Sequence, residues 1–123
     1  MTVIERLEAL EHQADEFGFS WDNAMQIIEQ IRSECNEVLA TVDKPLARQH
    51  LQEEIGDLLH AAFSLCVFCN FSAEDTLTRS VDKFERRLKS VKAFASEDGL
   101  HTLKGKSFKE LMAYWDKAKH QVG

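Results

Sequence analysis

The chain has 123 residues, a length that fits one domain and leaves no room for a second hydrophobic core. Its 15 Lys and Arg against 21 Asp and Glu give a net charge of −6, which argues against a general nucleic-acid-binding protein. The hydrophobic fraction of 44% argues against disorder, and no apolar run approaches the roughly 18 residues of a membrane span. Because residues 1–10 show no signal-peptide pattern, we expect a cytosolic protein that binds neither nucleic acid nor membranes.

Apolar residues recur every three or four positions in the first part of the chain, as in amphipathic helices. A first helix begins at the capping pattern of Thr2 with Glu5 and gives way to a loop at Phe17–Trp21. A second helix is expected from about Asp22 to Val42. It ends before Pro45, because proline disfavours helix in the residue that precedes it.

The third helix is expected from about Pro45 to Cys69, and its second half is apolar on nearly every side. The stretch Ala61–Cys69 is more apolar than a lone small bundle requires, so it predicts a central helix or an interface in a homodimer or a dimer of dimers. Cys66 and Cys69 form a C-x-x-C pair. They lack both the second ligand pair of a zinc site and the helix N-terminus of a redox site, so we expect buried core thiols.

Two further helices complete the predicted fold. The fourth begins at the capping pattern of Ser72 with Asp75 and is broken at Asp98-Gly99. The last begins at a capping box of Ser107 with Glu110. With no strand, repeat or linker in evidence, the predicted architecture is all-α, with a single domain over residues 1–123.

Two pairs of acids have the same three-residue spacing on the second and third helices. Glu34 and Glu37 lie on one edge of the second apolar stripe, and Glu54 and Asp57 lie on the same edge of the third. Antiparallel packing of the two stripes would bring both pairs to one cleft, where four carboxylates repel one another unless a cation neutralises them. Mg²⁺ prefers such oxygen ligands, so the pattern indicates a metal site. The alternative is that these acids are simply solvated at the helix edges.

Cationic residues lie on the last two helices. Lys83 and Arg87 are four residues apart, and Trp115 and Lys119 have the same spacing. Lys and Arg bind phosphate oxygens and a Trp ring offers a face for a base, so acids and cations together suggest a metal-dependent nucleotide site. A solvent-exposed charged face with Trp115 in the core is the alternative.

Several segments together resemble the MazG family of nucleoside triphosphate pyrophosphohydrolases. They are Phe17-Gly-Phe-Ser-Trp-Asp22, Ile31–Val38, Leu51–Leu59, Lys83–Arg87, Gly99-Leu100 and Trp115-x-x-x-Lys119. The similarity covers about residues 17–119 and looks like one MazG domain, most like the C-terminal catalytic repeat of two-domain members. It implies an all-α helical bundle that is completed by oligomerisation. It also implies hydrolysis of a nucleoside triphosphate to the monophosphate and pyrophosphate, by attack at the α-phosphate.

The resemblance further implies roles for individual residues. The Mg²⁺ ligands, which Mn²⁺ could also use, are Glu34, Glu37, Glu54 and Asp57. Catalysis is expected of Glu37, Lys83 and Arg87, and Glu37 would orient or deprotonate the attacking water. Substrate contacts are expected from Lys83, Arg87, Trp115, Lys119, Trp21 and His50.

The chain also departs from the family pattern, at Gln30, Ser33, His50, Ser64 and Val81. Ser33 stands in place of the first acid of E-E-x-x-E, and Lys is frequent at the position of Gln30. The four acids are intact, so the departures concern phosphate and base contacts. The leading interpretation is an enzyme that cleans the nucleotide pool, with a dUTP- or dCTP-preferring pyrophosphatase as a variant of it. A catalytically weak nucleotide-sensing protein and a purely structural helical module stay open.

Overall fold

The computed structural model describes residues 1–123 as five α-helices without strands. The helices are α1 (Val3–Phe17), α2 (Ala24–Thr41), α3 (Arg48–Phe68), α4 (Ala73–Glu97) and α5 (Phe108–Val122). The all-α prediction is confirmed. Each expected helix is present, with bounds shifted by no more than three residues from those read off the caps and breakers.

Short polar side chains cap the N-termini of the first two helices, at the predicted Thr2 and at Asn23, which the sequence analysis did not name. The Thr2 hydroxyl accepts a hydrogen bond from the Glu5 backbone N–H at 3.1 Å, and Asn23 Oδ1 accepts one from the Gln26 N–H at 3.0 Å. Gly18 ends α1 in the left-handed region, with φ 95°, and its N–H bonds back to the last turn. These caps satisfy N–H and C=O groups that have no partner within a helix.

The chain forms two compact units, residues 1–76 and residues 77–123, and the division falls within α4. In the first unit α2 packs against α3, and α1 also contacts α3. Ile27 on α2 is the one large side chain that is fully buried. In the second unit, Tyr114 Oη on α5 donates to Asp98 Oδ2, just after α4, at 2.5 Å. That the units act as one domain stays a prediction.

Two glutamates hold α1 in the first unit. Glu11 Oε1 accepts a hydrogen bond from Ser64 Oγ at 2.6 Å and lies 2.9 Å from His60 Nε2, both on α3. Glu8 Oε1 accepts from the Ala73 backbone N–H at 2.8 Å, at the N-terminus of α4. A carboxylate is favourable there because the first N–H groups of a helix are unpaired and the helix dipole is positive.

The prediction of buried core thiols at Cys66 and Cys69 is wrong. Cys69 is exposed, because α3 ends at Phe68 and Cys69 follows as its C-terminal cap. Cys66 is half-buried, and its Sγ lies 3.3 Å from Thr76 Oγ1. Within Ala61–Cys69 the buried residues are Ala61 and Ser64, so this stretch is less enclosed than its composition suggested.

No individual helix has both the length and the apolar character needed to cross a membrane. The pair α3 and α4 passes that test only when the two are taken together as a bent span, and only on length and composition.

Candidate functional site

Three carboxylates converge where α2 packs against α3. Glu34, Glu54 and Asp57 each offer an oxygen, and these oxygens all lie within 4.8 Å of one another. α2 supplies Glu34, whereas α3 supplies Glu54 and Asp57, which are almost one helical turn apart. Glu34 and Glu54 are half-buried and Asp57 is exposed. We call these three residues the acid group.

The electrostatics of the acid group centre on Glu54, whose side chain is only 13% exposed. Partial burial raises the pKa of Glu54 above its usual value, and the charges of Glu37, Asp57 and Glu34 raise it further. His50 acts in the opposite direction, because its Nε2 lies 3.4 Å from Glu54 Oε1. Burial and the neighbouring acids thus outweigh His50 and disfavour the ionised form of Glu54. A bound cation would favour that ionised form.

Glu37, the fourth predicted ligand, lies outside the acid group. It is exposed on α2, one turn after Glu34, and its charge still acts on Glu54. Three of the four acids predicted from the sequence thus lie together, and the fourth, Glu37, is close enough for its charge to raise the pKa of Glu54. That these residues bind a metal stays a prediction.

The donor chemistry of the acid group fits a hard divalent cation. All three members offer carboxylate oxygens, which suit Mg²⁺ and Mn²⁺ better than soft metals. Oxygens that share one Mg²⁺ lie at most about 4.2 Å apart, because each Mg–O distance is about 2.1 Å. The separations in the acid group are at most 4.8 Å, so small rotations of the side chains would suffice.

Two residues support the acid group from one turn earlier on the same helices. Gln30 Nε2 donates a hydrogen bond to Glu34 Oε1 at 2.7 Å. His50 is also four residues before its acid, and its Nε2 lies 3.4 Å from Glu54 Oε1. In the sequence Gln30 stood out only as a departure from the family pattern, and its contact with Glu34 was not predicted. The four-residue spacing between an amide and a carboxylate was the signal that could have revealed it.

In the second unit, Arg87 and Trp115 are brought together. The Arg87 guanidinium carbon lies 5.4 Å from the centroid of the Trp115 ring, and Phe84 packs on the same ring at 6.0 Å between centroids. Arg87 also donates from Nε and Nη2 to the Gly123 carbonyl oxygen, at 3.1 and 2.7 Å. The half-buried Trp115 therefore combines a packing role with a contact to a cation.

The remaining predicted substrate residues are accessible. Lys83 is exposed one turn before Arg87 on α4. Lys119 is exposed on α5, with its Nζ 3.7 Å from Asp116 Oδ1. Trp21 lies in the first unit, in the loop between α1 and α2, and is 38% exposed.

The sequence of this chain matches that of a known protein family over more than half of its length. The model of the MazG nucleotide pyrophosphohydrolase domain matches residues 23–92, which is 70 of the 123 residues. The chain belongs to the MazG family. The match covers α2, α3 and most of α4 of this MazG domain, so it includes the whole acid group together with Lys83 and Arg87. The resemblance seen in the sequence is confirmed.

Three relatives show how far the likeness extends. This MazG domain is 32% identical over 117 residues to the nucleoside triphosphate pyrophosphohydrolase/pyrophosphatase MazG of Thermotoga maritima. That alignment covers 95% of this chain and 44% of the Thermotoga protein. It is 26% identical over 122 residues to the nucleoside triphosphate pyrophosphohydrolase of Escherichia coli, and the alignment covers 98% of this chain and 46% of that protein. It is 33% identical over 70 residues to the uncharacterized protein YabN of Bacillus subtilis, and the alignment covers 57% of this chain and 14% of that protein. The chain therefore spans less than half the length of each.

Proposed function

We propose that this MazG domain hydrolyses nucleoside triphosphates to nucleoside monophosphate and pyrophosphate, as a house-cleaning activity on the nucleotide pool. The observation that carries the proposal is the convergence of Glu34, Glu54 and Asp57 inside the segment that matches the family model. Two relatives that align with nearly the whole chain are named as nucleoside triphosphate pyrophosphohydrolases.

The acid group would hold Mg²⁺, with Mn²⁺ as a substitute. When bound, the metal would supply positive charge that stabilises the negative phosphate oxygens and makes a nearby water more acidic. The half-buried Glu34 and Glu54 would fix the ion on its protein side, and the exposed Asp57 would border the open side.

Glu37 is the proposed general base. It is exposed and outside the acid group, so its carboxylate is available to accept a proton from water. In the reaction, the water oxygen bonds to the α-phosphorus and its proton passes to Glu37. The bond from the α-phosphorus to the bridging oxygen breaks, and pyrophosphate leaves with the electron pair.

The cations of α4 and α5 are proposed to serve the substrate. Lys83, Arg87 and Lys119 offer ammonium and guanidinium groups for phosphate oxygens. Arg87 must exchange the Gly123 carbonyl oxygen for a phosphate oxygen, because that carbonyl now accepts from both Nε and Nη2. The Trp115 ring and the accessible Trp21 are candidates for stacking on a base, and His50 for a further substrate contact.

A homodimer or a dimer of dimers is the proposed assembly. It is supported by a stripe of apolar side chains on α4, Leu77, Val81, Phe84 and Leu88, which are 39–56% exposed and recur at helical spacing. A second copy of the chain is the proposed partner, because such contiguous apolar surface is unfavourable in water.

The activity is tested by measuring pyrophosphate release from a panel of canonical, deoxy and oxidised nucleoside triphosphates with Mg²⁺. We expect Glu37→Gln to lower kcat by about 100-fold or more, as for loss of a general base, while Mn²⁺ binding persists. Asp57→Asn is expected to weaken Mn²⁺ binding as well, whereas Asp15→Asn, an exposed acid on α1, should change neither property.

The same panel separates the alternatives. A preference for dUTP or dCTP would be read directly from the relative rates. Nucleotide-dependent stabilisation with no pyrophosphate release from any triphosphate would contradict the proposed enzyme and favour a nucleotide-sensing protein. No effect of Mg²⁺ or nucleotide on the melting temperature would favour a structural helical module.

A further inference from the structure

Gln30 is an exposed side chain on α2 that makes one specific polar contact. Its Nε2 donates to Glu34 Oε1 at 2.7 Å, across one turn of the helix. A carboxylate can only accept hydrogen bonds, so the amide must present its NH₂ group to Glu34, and its orientation follows from chemistry.

Glu34 has particular need of such a partner. It is the one member of the acid group on α2, and it faces Glu54 and Asp57, which share its negative charge. A glutamate side chain has three rotatable bonds, so without a partner repulsion would favour rotamers that turn its carboxylate towards water. The hydrogen bond from Gln30 opposes that rotation.

The amide of Gln30 also carries no charge. An ammonium group at position 30 would also bond to Glu34, but its charge would repel a divalent cation on the acid group. An amide holds the carboxylate and leaves its full negative charge for the cation. Gln30 is thus suited to orient Glu34 without competing with the metal.

We propose that Gln30 is a positioning residue that presents Glu34 to the divalent cation of the acid group. This inference rests on the proposed metal site and deepens it. Hydrogen-bond partners of metal ligands fix the orientation of the ligand, and their removal typically weakens metal affinity by about 10- to 100-fold. Because Gln30 is exposed and water can replace part of its bond, the lower end of that range is expected.

The test measures Mn²⁺ binding without nucleotide, from the electron paramagnetic resonance signal of the free ion. Gln30→Met keeps the length of the side chain and removes the donor, and Gln30→Ala is a second variant. Gln13→Met and Gln13→Ala, at an exposed glutamine of α1, are the matched controls. We expect the Mn²⁺ Kd to rise about ten-fold in both Gln30 variants and to stay unchanged in both controls.

The Mg²⁺ dependence of turnover is a second measurement, and it would not change if the role of Gln30 were only structural. Both Gln30 variants should need more Mg²⁺ for half-maximal pyrophosphate release while reaching nearly the same kcat at saturating Mg²⁺. Equal Mn²⁺ affinity in the Gln30 and Gln13 variants, with Mn²⁺ bound normally by the unsubstituted chain, would overturn the role of Gln30 alone. Failure of the unsubstituted chain to bind Mn²⁺ would overturn the proposed metal site and this inference with it.

Discussion

At the residue scale, the ionised side chain of Glu54 has opposite effects on the stability of the metal-free protein and on the proposed metal binding. Burial and three neighbouring negative charges disfavour its ionised form and raise its pKa, although the nearby His50 acts in the opposite direction. Ionised Glu54 therefore destabilises the metal-free fold, and the same ionised group attracts a cation. This conflict between local stability and charge is typical of functional sites.

Glu54→Gln should separate the two effects. The substitution removes the repulsion within the acid group, so we expect the melting temperature of the metal-free protein to rise. The further rise that Mg²⁺ produces in the unsubstituted protein should be lost, because binding to the folded state is what stabilises it. Thermal unfolding with and without Mg²⁺ checks both effects, and Glu16→Gln, an exposed acid of α1, is the control. An unchanged response to Mg²⁺ would remove Glu54 from the metal site.

The acids of this site could be predicted from sequence because the spacing of residues on a helix is fixed. A three-residue step places Glu54 and Asp57 near one edge of α3 whatever the rest of the chain does. The contact from Ser64 to Glu11 could not be predicted, because it depends on how α1 and α3 align. Glu37 was predicted as a ligand and lies outside the acid group, because which oxygens converge depends on rotamers that spacing leaves free.

At the scale of elements, caps account for most helix bounds. The capping box of α5 is complete: the Ser107 side chain accepts from the Glu110 N–H, and the Glu110 carboxylate accepts from the Ser107 N–H. Such boxes could be found in the sequence because they need only a local pattern. The burial of individual side chains could not be predicted from a local sequence pattern in the same way. Cys69 follows an apolar run, yet it is exposed because the helix ends before it.

The capping box should make the stability of α5 depend on pH. The hydrogen bonds from Ser107 hold the pKa of Glu110 below its usual value of 4.5, because they favour the ionised carboxylate. The contribution of Glu110 to stability is therefore fully present above pH 4.5 and is lost as the pH falls through the lower pKa of the folded state.

Urea unfolding of the protein and of Glu110→Gln between pH 3 and 7 measures this contribution. We expect the difference in unfolding free energy between the two to shrink as the pH falls below about 4.5, since the carboxylate is then protonated. Glu97→Gln, an exposed acid at the end of α4, should show no such change. A difference that is independent of pH would contradict the ionic contribution of the capping box.

At the scale of the whole molecule, the chain has a small core and much exposed apolar surface. Ile27 is its one large fully buried side chain, whereas many large apolar residues on α2, α3 and α4 are more than one third exposed. The apolar character of α3 led the sequence analysis to expect an interface between copies. A single chain cannot reveal which surfaces pair, because that depends on the complementarity of two three-dimensional surfaces.

Val81→Glu tests the proposed assembly. Val81 is 56% exposed in the apolar stripe of α4, so a charge there should disfavour pairing without disturbing a buried core. Light scattering at micromolar concentration should give two or four times the 14.1 kDa of one chain for the unsubstituted protein. The mass should fall towards 14.1 kDa for the Val81 variant. Arg86→Glu, which adds the same side chain on the opposite face of α4, should leave the mass unchanged. An unsubstituted protein of 14.1 kDa would contradict the assembly.

The proposed reaction is defined by the phosphorus atom that the water attacks, which is the α-phosphorus. Turnover in ¹⁸O-labelled water, with the nucleoside triphosphate that reacts fastest, identifies that atom by mass spectrometry of the products. Attack at the α-phosphorus predicts one ¹⁸O atom in the nucleoside monophosphate and none in the pyrophosphate. Label in inorganic phosphate or pyrophosphate, or release of a nucleoside diphosphate, would contradict it.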